Sequence, residues 1–265
     1  MSDPIPKAIF ITGAASGIGR AVAIAFAARG WFVGLADVNQ AGLRQTAGML
    51  PGEASATYRL DVRDPAQWDA ALARFVARAR RLDVLFNNAG VAHGGPLVEH
   101  DRQQIDELID VNLRGVIHGA MAAYPHLKAT PGSCLLNTCS AAALYGSPGL
   151  AVYSATKFGV RALTEALEID WADDGIRVRD LMPGFVDTAL LAGPAGRSNV
   201  SKRQRVIASG AEFTTVEEVA RKAWNAVHGR RTHTLVGRMA GQMAFAARWL
   251  PGKLKARLAR LAQAR

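Results

Sequence analysis

Seven short apolar runs alternate with longer stretches of helical periodicity, and this alternation limits the chain to very few architectures. The runs, several rich in β-branched residues, are 8–12, 31–36, 57–60, 84–87, 134–138, 178–182 and 234–236. Between them, 17–29, 65–80, 101–124, 152–171 and 216–227 repeat apolar residues at helical spacing, and Asp64 and Thr215 stand where N-caps belong. This order predicts an α/β fold, a doubly wound parallel sheet covered by helices on both faces. No internal repeat, low-complexity tract or proline-rich linker interrupts it. Residues 1–237 therefore read as one domain, and 238–265 as a basic amphipathic extension of the same domain.

A length of 265 residues suits one such domain with a substantial core. The longest uninterrupted apolar run, 21–28, stops at Arg29, well short of the roughly 20 residues that span a bilayer. The start of the chain lacks the pattern of a signal peptide, so a cytoplasmic location is expected. Cys134 and Cys139, on one expected strand, should point to opposite faces and form no disulfide. Six histidines without the paired spacing of a metal site predict no metal. The net charge of +10 is unevenly placed: residues 221–265 hold eleven Lys and Arg and no Asp or Glu, which leaves the first 220 positions at −1. The neutral body, and a tail poor in interleaved aromatics, argue against nucleic-acid binding.

The first run leads through Thr12-Gly13-Ala14-Ala15-Ser16-Gly17-Ile18-Gly19 directly into a helix. Three glycines at this spacing exceed the needs of a plain turn. They permit a tight bend, close approach of backbone to a pyrophosphate, and close packing of helix on strand. The helix N-terminus then offers free N–H groups and partial positive charge to the phosphates. Asp37 follows 24 positions after Gly13, near the spacing of about 20 at which a carboxylate binds adenosine ribose hydroxyls. It would repel a 2′-phosphate, and neither Ser16 nor Val38 supplies a cation to offset that repulsion. NAD is favoured over NADP, unless Asp37 only caps the helix that follows.

Tyr153 and Lys157 lie four apart on an expected helix, one turn from each other on a shared face. A phenol of ordinary pKa, about 10, is protonated at neutral pH, but a nearby ammonium stabilises the phenolate and draws that pKa down. Tyr153 could then remove a proton from an alcohol. Many helices carry Tyr and Lys at this spacing, so the pair gains meaning only from its company.

That company resembles the short-chain dehydrogenase/reductase family. The glycine pattern at 12–19, Asp61-Val62, Asn87-Asn88-Ala89-Gly90, Asn112, Ser140, Tyr153 with Lys157, and Pro183-Gly184 through Thr188 occur in the family's order across residues 7–190. The resemblance implies a Rossmann-like domain in which Ser140 donates a hydrogen bond to the substrate oxygen and Tyr153 transfers the proton. Lys157 would act on Tyr153 and bind the nicotinamide ribose, and Asn112 would hold a water in the proton relay. Further implied cofactor contacts are Gly13, Ser16, Gly17, Ile18 and Gly19 in the first loop, and Asp61 and Val62 flanking the adenine. Asn88, Ala89 and Gly90 would follow in the central loop, with Pro183, Gly184, Val186 and Thr188 at the nicotinamide end. The implied reaction is hydride transfer between NAD and a secondary alcohol or ketone, by a homodimer or homotetramer. Two rivals are an NADP-dependent carbonyl reductase and a NAD-sensing or scaffold protein that lost catalysis; the intact Asn112, Ser140, Tyr153 and Lys157 count against the second.

Substrate choice should lie after Ser140 (Ala142, Leu144, Tyr145), at His93, and in residues 189–213. The first of these is mainly apolar and favours a nonpolar alcohol or ketone; His93 is either a substrate contact or a solvated loop residue. Gly193-Pro194-Ala195-Gly196 suggests a lid. In the tail, Leu250, Leu254, Leu258 and Leu261 form a helical stripe flanked by Lys253, Arg257 and Arg260. Three readings stand: a helix packed on its own domain, closure over a pocket, or peripheral contact with an anionic membrane.

Overall fold

The computed structural model describes residues 5–188, 191, 194–195, 198–208 and 212–263. Strand β1 (Ala8–Thr12) leads to helix α1 (Gly17–Ala27), followed by β2 (Phe32–Asp37), α2 (Gln40–Ala47), β3 (Ser55–Arg59), α3 (Pro65–Ala79) and β4 (Val84–Asn87). Helix α4 (Arg102–Ile109) runs through a π-helical turn, Asp110–Arg114, into α5 (Gly115–Lys128); β5 (Cys134–Thr138), α6 (Ala151–Asp170) and β6 (Arg177–Pro183) come next. A small antiparallel pair, β7 (Pro194–Ala195) with β8 (Ser198–Ser201), and α7 (Lys202–Ala208) precede α8 (Val216–His228), β9 (His233–Val236), α9 (Arg238–Trp249) and α10 (Pro251–Gln263).

Seven strands form one parallel sheet in the order β3-β2-β1-β4-β5-β6-β9. The winding reverses between β1 and β4, and the carboxyl ends of these neighbours open the crevice in which such sheets bind ligands. Alternation along β1 shows how the crevice is held in place. Ile9 and Ile11 join Phe26, Val33, Leu35 and Val219 on one face, while Ala8 and Phe10 join Trp68, Phe75 and Leu85 on the other. Burying each Phe or Ile side chain contributes about 1.5–3 kcal/mol, and a strand packed on both faces has little freedom to shift its end.

All seven expected strands form, and both expected caps act. Asp64 accepts from the Ala66 and Gln67 amides at 2.9 and 3.3 Å, and Thr215 from that of Glu218 at 3.2 Å. The stretch read as one helix over 101–124 is instead broken by the π-helical turn. Cys134 and Cys139 are free, buried thiols in separate core clusters. In the tail, α10 lies against α9, with Leu254 buried and Leu258 half-buried, so this part of the leucine stripe turns towards its own domain while Leu250 stays exposed. Helix α9 packs on β9 and on the short turn Ala141–Ala143. The lid expected at 193–196 includes Gly193 and Gly196, which lie outside the described residues, as do 189–190, 192, 197 and 209–211; the Leu261 side chain is likewise not described. Among the described residues, no helix is long and apolar enough to cross a membrane.

Candidate active site

Beyond β1 the chain turns through Gly13, whose φ of 67° is a left-handed conformation that suits glycine. Gly19 is required for space: a Cβ there would lie 2.3 Å from the Gly13 carbonyl oxygen and 2.8 Å from Asn88 Nδ2. Helix α1 begins with Ser16 at its N-cap position, without a capping side chain and without an acid in its first turn, so the side chains leave its first amides for an anion. A Cβ on Gly17 would lie 3.2 Å from Thr188 Cγ2, which places the loop after β6 against this turn.

Asp37 ends β2. Its Oδ2 accepts from the Ala15 amide at 3.1 Å and its Oδ1 from the Asn39 amide at 2.9 Å. The cap of α2 is Asn39, which accepts from Gly42 at 3.0 Å, so the reading of Asp37 as a helix cap does not hold. Among the described residues no Lys or Arg forms an ion pair with Asp37. Uncapped helix end, glycine-made space and unpaired carboxylate together fit a dinucleotide. Asp61 is paired with Arg63 at 2.6 Å, and that guanidinium holds its carboxyl below the ordinary carboxylate range. Val62 is buried, its carbonyl accepting from Trp68 Nε1 at 3.0 Å.

The central loop is pinned by Thr12, whose Oγ1 accepts from the Asn88 and Ala89 amides, each at 3.0 Å. Asn88 donates to the Thr12 carbonyl at 2.9 Å and accepts from Thr138 Oγ1 at 3.1 Å, so the ends of β1, β4 and β5 are tied together. Asn112, buried in the π-helical turn, engages both peptide groups of Val91, accepting at 2.9 Å and donating at 2.8 Å. Its side-chain amide is thereby committed to the wall beside Gly90. A Cβ on Gly90 would sit 3.2 Å from Asn112 Oδ1 and 4.0 Å from Lys157 Nζ, which puts the three residues in one place.

Ser140 opens the turn Ala141–Ala143, accepting from the Ala142 amide at 3.1 Å, and its hydroxyl is near enough to Tyr153 to act on the phenol. Lys157 donates to the Thr138 carbonyl at 2.8 Å and lies 5.8 Å from the centroid of the Tyr153 ring. Burial pushes the Tyr153 phenol up to about 12, against the opposing pull of the Ser140 hydroxyl. Burial also lowers Lys157 below the ordinary lysine value. The expectation that Lys157 draws Tyr153 down is thus not met in the protein alone: the ammonium turns to a carbonyl, and lost hydration dominates the phenol.

On the substrate side Ala142 is buried, and Leu144 and Tyr145 are half-buried. His93 Nε2 lies 2.7 Å from Glu107 on α4. Pro183 ends β6, and Gly184 packs against Met239 of α9, since a Cβ there would lie 2.9 Å from Met239 Cε. Val186 is buried and bridges to Thr214. Arg63, Met239 and Thr138 escaped the sequence reading, as did the partners that join Asp180 in a chain of polar groups. In that chain Asp180 Oδ2 lies 2.9 Å from His233 Nδ1, and His233 Nε2 lies 3.0 Å from Glu165 Oε1. Arg161 donates to that same oxygen at 2.8 Å and to the Ala143 carbonyl at 3.3 Å. Asp180 and His233 face each other in the β6–β9 register, which no local motif reveals.

Sheet order, glycine loop and hydroxyl-bearing cleft define a class, the Rossmann-like α/β oxidoreductases. The family model described as short chain dehydrogenase matches residues 7–195, and the chain belongs to that family. It is 35% identical to meso-2,3-butanediol dehydrogenase of Serratia marcescens over 187 residues, 71% of this chain and 74% of the relative. Among solved structures it is similar to a short chain dehydrogenase/reductase from Burkholderia phymatum in complex with NAD, with 29% identity and a TM-score of 0.83 over 97% of each chain. It is also similar to an alcohol dehydrogenase from the archaeon Thermococcus sibiricus complexed with 5-hydroxy-NADP, with 27% identity and a TM-score of 0.75 over 87% of this chain and 95% of that one. The family uses a nicotinamide cofactor on small-molecule substrates.

Proposed function

We propose that this chain interconverts a mainly nonpolar secondary alcohol and its ketone, with NAD as cofactor and Tyr153 as general acid and base. The observation that carries the proposal is the convergence of Ser140, Tyr153 and Lys157: the Ser140 hydroxyl acts on the Tyr153 phenol, and the Lys157 ammonium lies 5.8 Å from the Tyr153 ring centroid and 4.0 Å from where a Gly90 Cβ would be. Gly13, Ser16, Gly17, Ile18 and Gly19 would hold the pyrophosphate, Asp37 the adenosine ribose, and Asp61 with Val62 the adenine. Asn88, Ala89, Gly90, Lys157, Pro183, Gly184, Val186 and Thr188 would line the remainder. When bound, the nicotinamide supplies the carbon that accepts or gives the hydride.

The other tasks fall to the chain. Ser140 donates to the substrate oxygen and fixes it beside Tyr153. In the ketone direction Tyr153 still holds its proton, because burial lifts it to about 12, and donates it as charge grows on the oxygen. In the alcohol direction the same hydroxyl must first lose that proton, which burial opposes and the Ser140 hydroxyl favours. Asn112 holds the Gly90–Val91 segment against Lys157. The buried Ala142 and half-buried Leu144 support a nonpolar substrate. His93 would reach a substrate only when its pairing with Glu107 parts. A homodimer or homotetramer belongs to the same proposal, and sedimentation at monomer mass would exclude it.

Tyr153→Phe tests the mechanism. Turnover on a panel of alcohols and ketones should fall about 10²–10⁴-fold, the worth of a positioned acid or base, while NAD still binds by fluorescence titration. Full turnover in the variant would refute the assignment.

A further inference from the structure

Leu254 and Leu258 of α10 turn to their own domain, yet the tail keeps an apolar surface outside. Phe245 is 60% exposed, Trp249 63% and Leu250 39%, at the corner where α9 meets α10. Phe245 and Trp249 stand one turn apart on a face of α9 that also carries Gln242 and Arg238, both exposed. Cations crowd this corner. The Arg248 guanidinium lies 5.3 Å from the Trp249 ring, and the exposed Lys253 and Arg257 follow on the first turns of α10.

We propose that this corner docks on an anionic phospholipid surface, Phe245 and Trp249 entering the headgroup boundary while Arg248, Lys253 and Arg257 meet the lipid phosphates. Charge selects the occupant. A second copy seated face to face would oppose one cation set with another, and residues 221–265 contain no acid to relieve the repulsion. An anionic leaflet attracts every one of these cations, each worth about fivefold in partitioning near the surface. The exposed aromatics separate lipid from other polyanions, since Trp and Phe settle at the boundary of headgroup and acyl chain. Helix α9 also packs on the turn that follows Ser140, and its Met239 touches Gly184, so docking would bring the cleft close to the bilayer. This last consequence, unlike the docking, rests on the proposed nonpolar substrate.

The test is co-sedimentation of the full chain with phosphatidylcholine vesicles, with and without phosphatidylserine, at low and high salt. Binding should require phosphatidylserine and fall with salt. Lys253→Ala/Arg257→Ala should weaken partitioning about thirtyfold. Phe245→Ser/Trp249→Ser should abolish binding while turnover on a water-soluble alcohol, measured without vesicles, stays unchanged. Three results would overturn the proposal: no binding to phosphatidylserine vesicles at low salt, binding indifferent to the aromatic variant, or self-association that this variant removes. The vesicle readout does not involve turnover, so a failed redox assignment and a failed docking surface are separately visible.

Discussion

Replacing His233 with alanine should destabilise the protein by a large fraction of its folding free energy, although the residue touches neither cofactor loop nor substrate wall. Asp180 is completely buried, its Oδ1 has no hydrogen-bond partner among the described residues, and Oδ2 depends on His233. Removing one partner of a fully buried pair costs about 3–5 kcal/mol; His233 keeps 28% of its side chain exposed and water repays part of the loss, so about 2–3 kcal/mol is expected at pH 6. The sign of the pH dependence follows from the same contact. The hydrogen bond to Asp180 raises the His233 pKa, while burial raises that of Asp180 against the pull of His233. The folded protein therefore holds the histidine proton more tightly than the unfolded chain does. The stability this adds is complete below the unfolded-state value of about 6.5 and is lost as pH rises through the higher folded value. Urea unfolding followed by tryptophan fluorescence measures both effects, and the gap between wild type and His233→Ala should narrow from pH 6 to pH 9. Asp180→Leu/His233→Leu, which removes both charges, should stay within about 1 kcal/mol of wild type. A cost below about 0.5 kcal/mol for His233→Ala, equal at both pH values, would refute the coupling, because a surface substitution does as little.

Two further changes probe the nucleotide loop. Asp37→Ser should raise the preference for NADP over NAD about tenfold or more by removing one repulsive charge, and should weaken NAD binding because Ala15 loses its anchor; an unchanged kcat/KM ratio would show that Asp37 does not face the ribose. Gly19→Ala puts a Cβ 2.3 Å from a backbone oxygen that cannot swing aside, and an overpacking cost of about 1–3 kcal/mol should appear as a raised Kd for NAD by calorimetry; wild-type affinity would mean that the loop yields freely.

What could be read in advance depended on how local the physics was. Strands β1, β4 and β5 were legible to the residue because each is a short apolar run stopped by a turn, and Asp64 and Thr215 declare their caps within three positions. Helix α2 gave almost no signal: in eight residues it buries only Gly42, Leu43 and Thr46. The π-helical turn was hidden because the apolar pattern over 101–124 continues across it. At the site, Ser140, Tyr153 and Lys157 do converge, but the Thr138 carbonyl that captures the lysine belongs to a neighbouring strand. The tail teaches the same lesson in reverse, since the leucine spacing predicts a stripe and says nothing of which side it faces.

Helix α6 carries Tyr153, Lys157, Arg161 and Glu165 at four-residue intervals, a single ridge along its surface. One end of that ridge carries the proposed proton donor, Tyr153, and the other is bolted to the last strand of the sheet through His233. The helix is then a lever with its tip in the cleft, and the edge strand sets its angle. A misplacement of about 1 Å can cost on the order of 10²-fold in rate, so β9, whose Val236 carbonyl also holds the Gly184 amide at 3.2 Å, falls within the mechanical tolerance of the site. Redesign of this scaffold for new substrates should leave that strand alone.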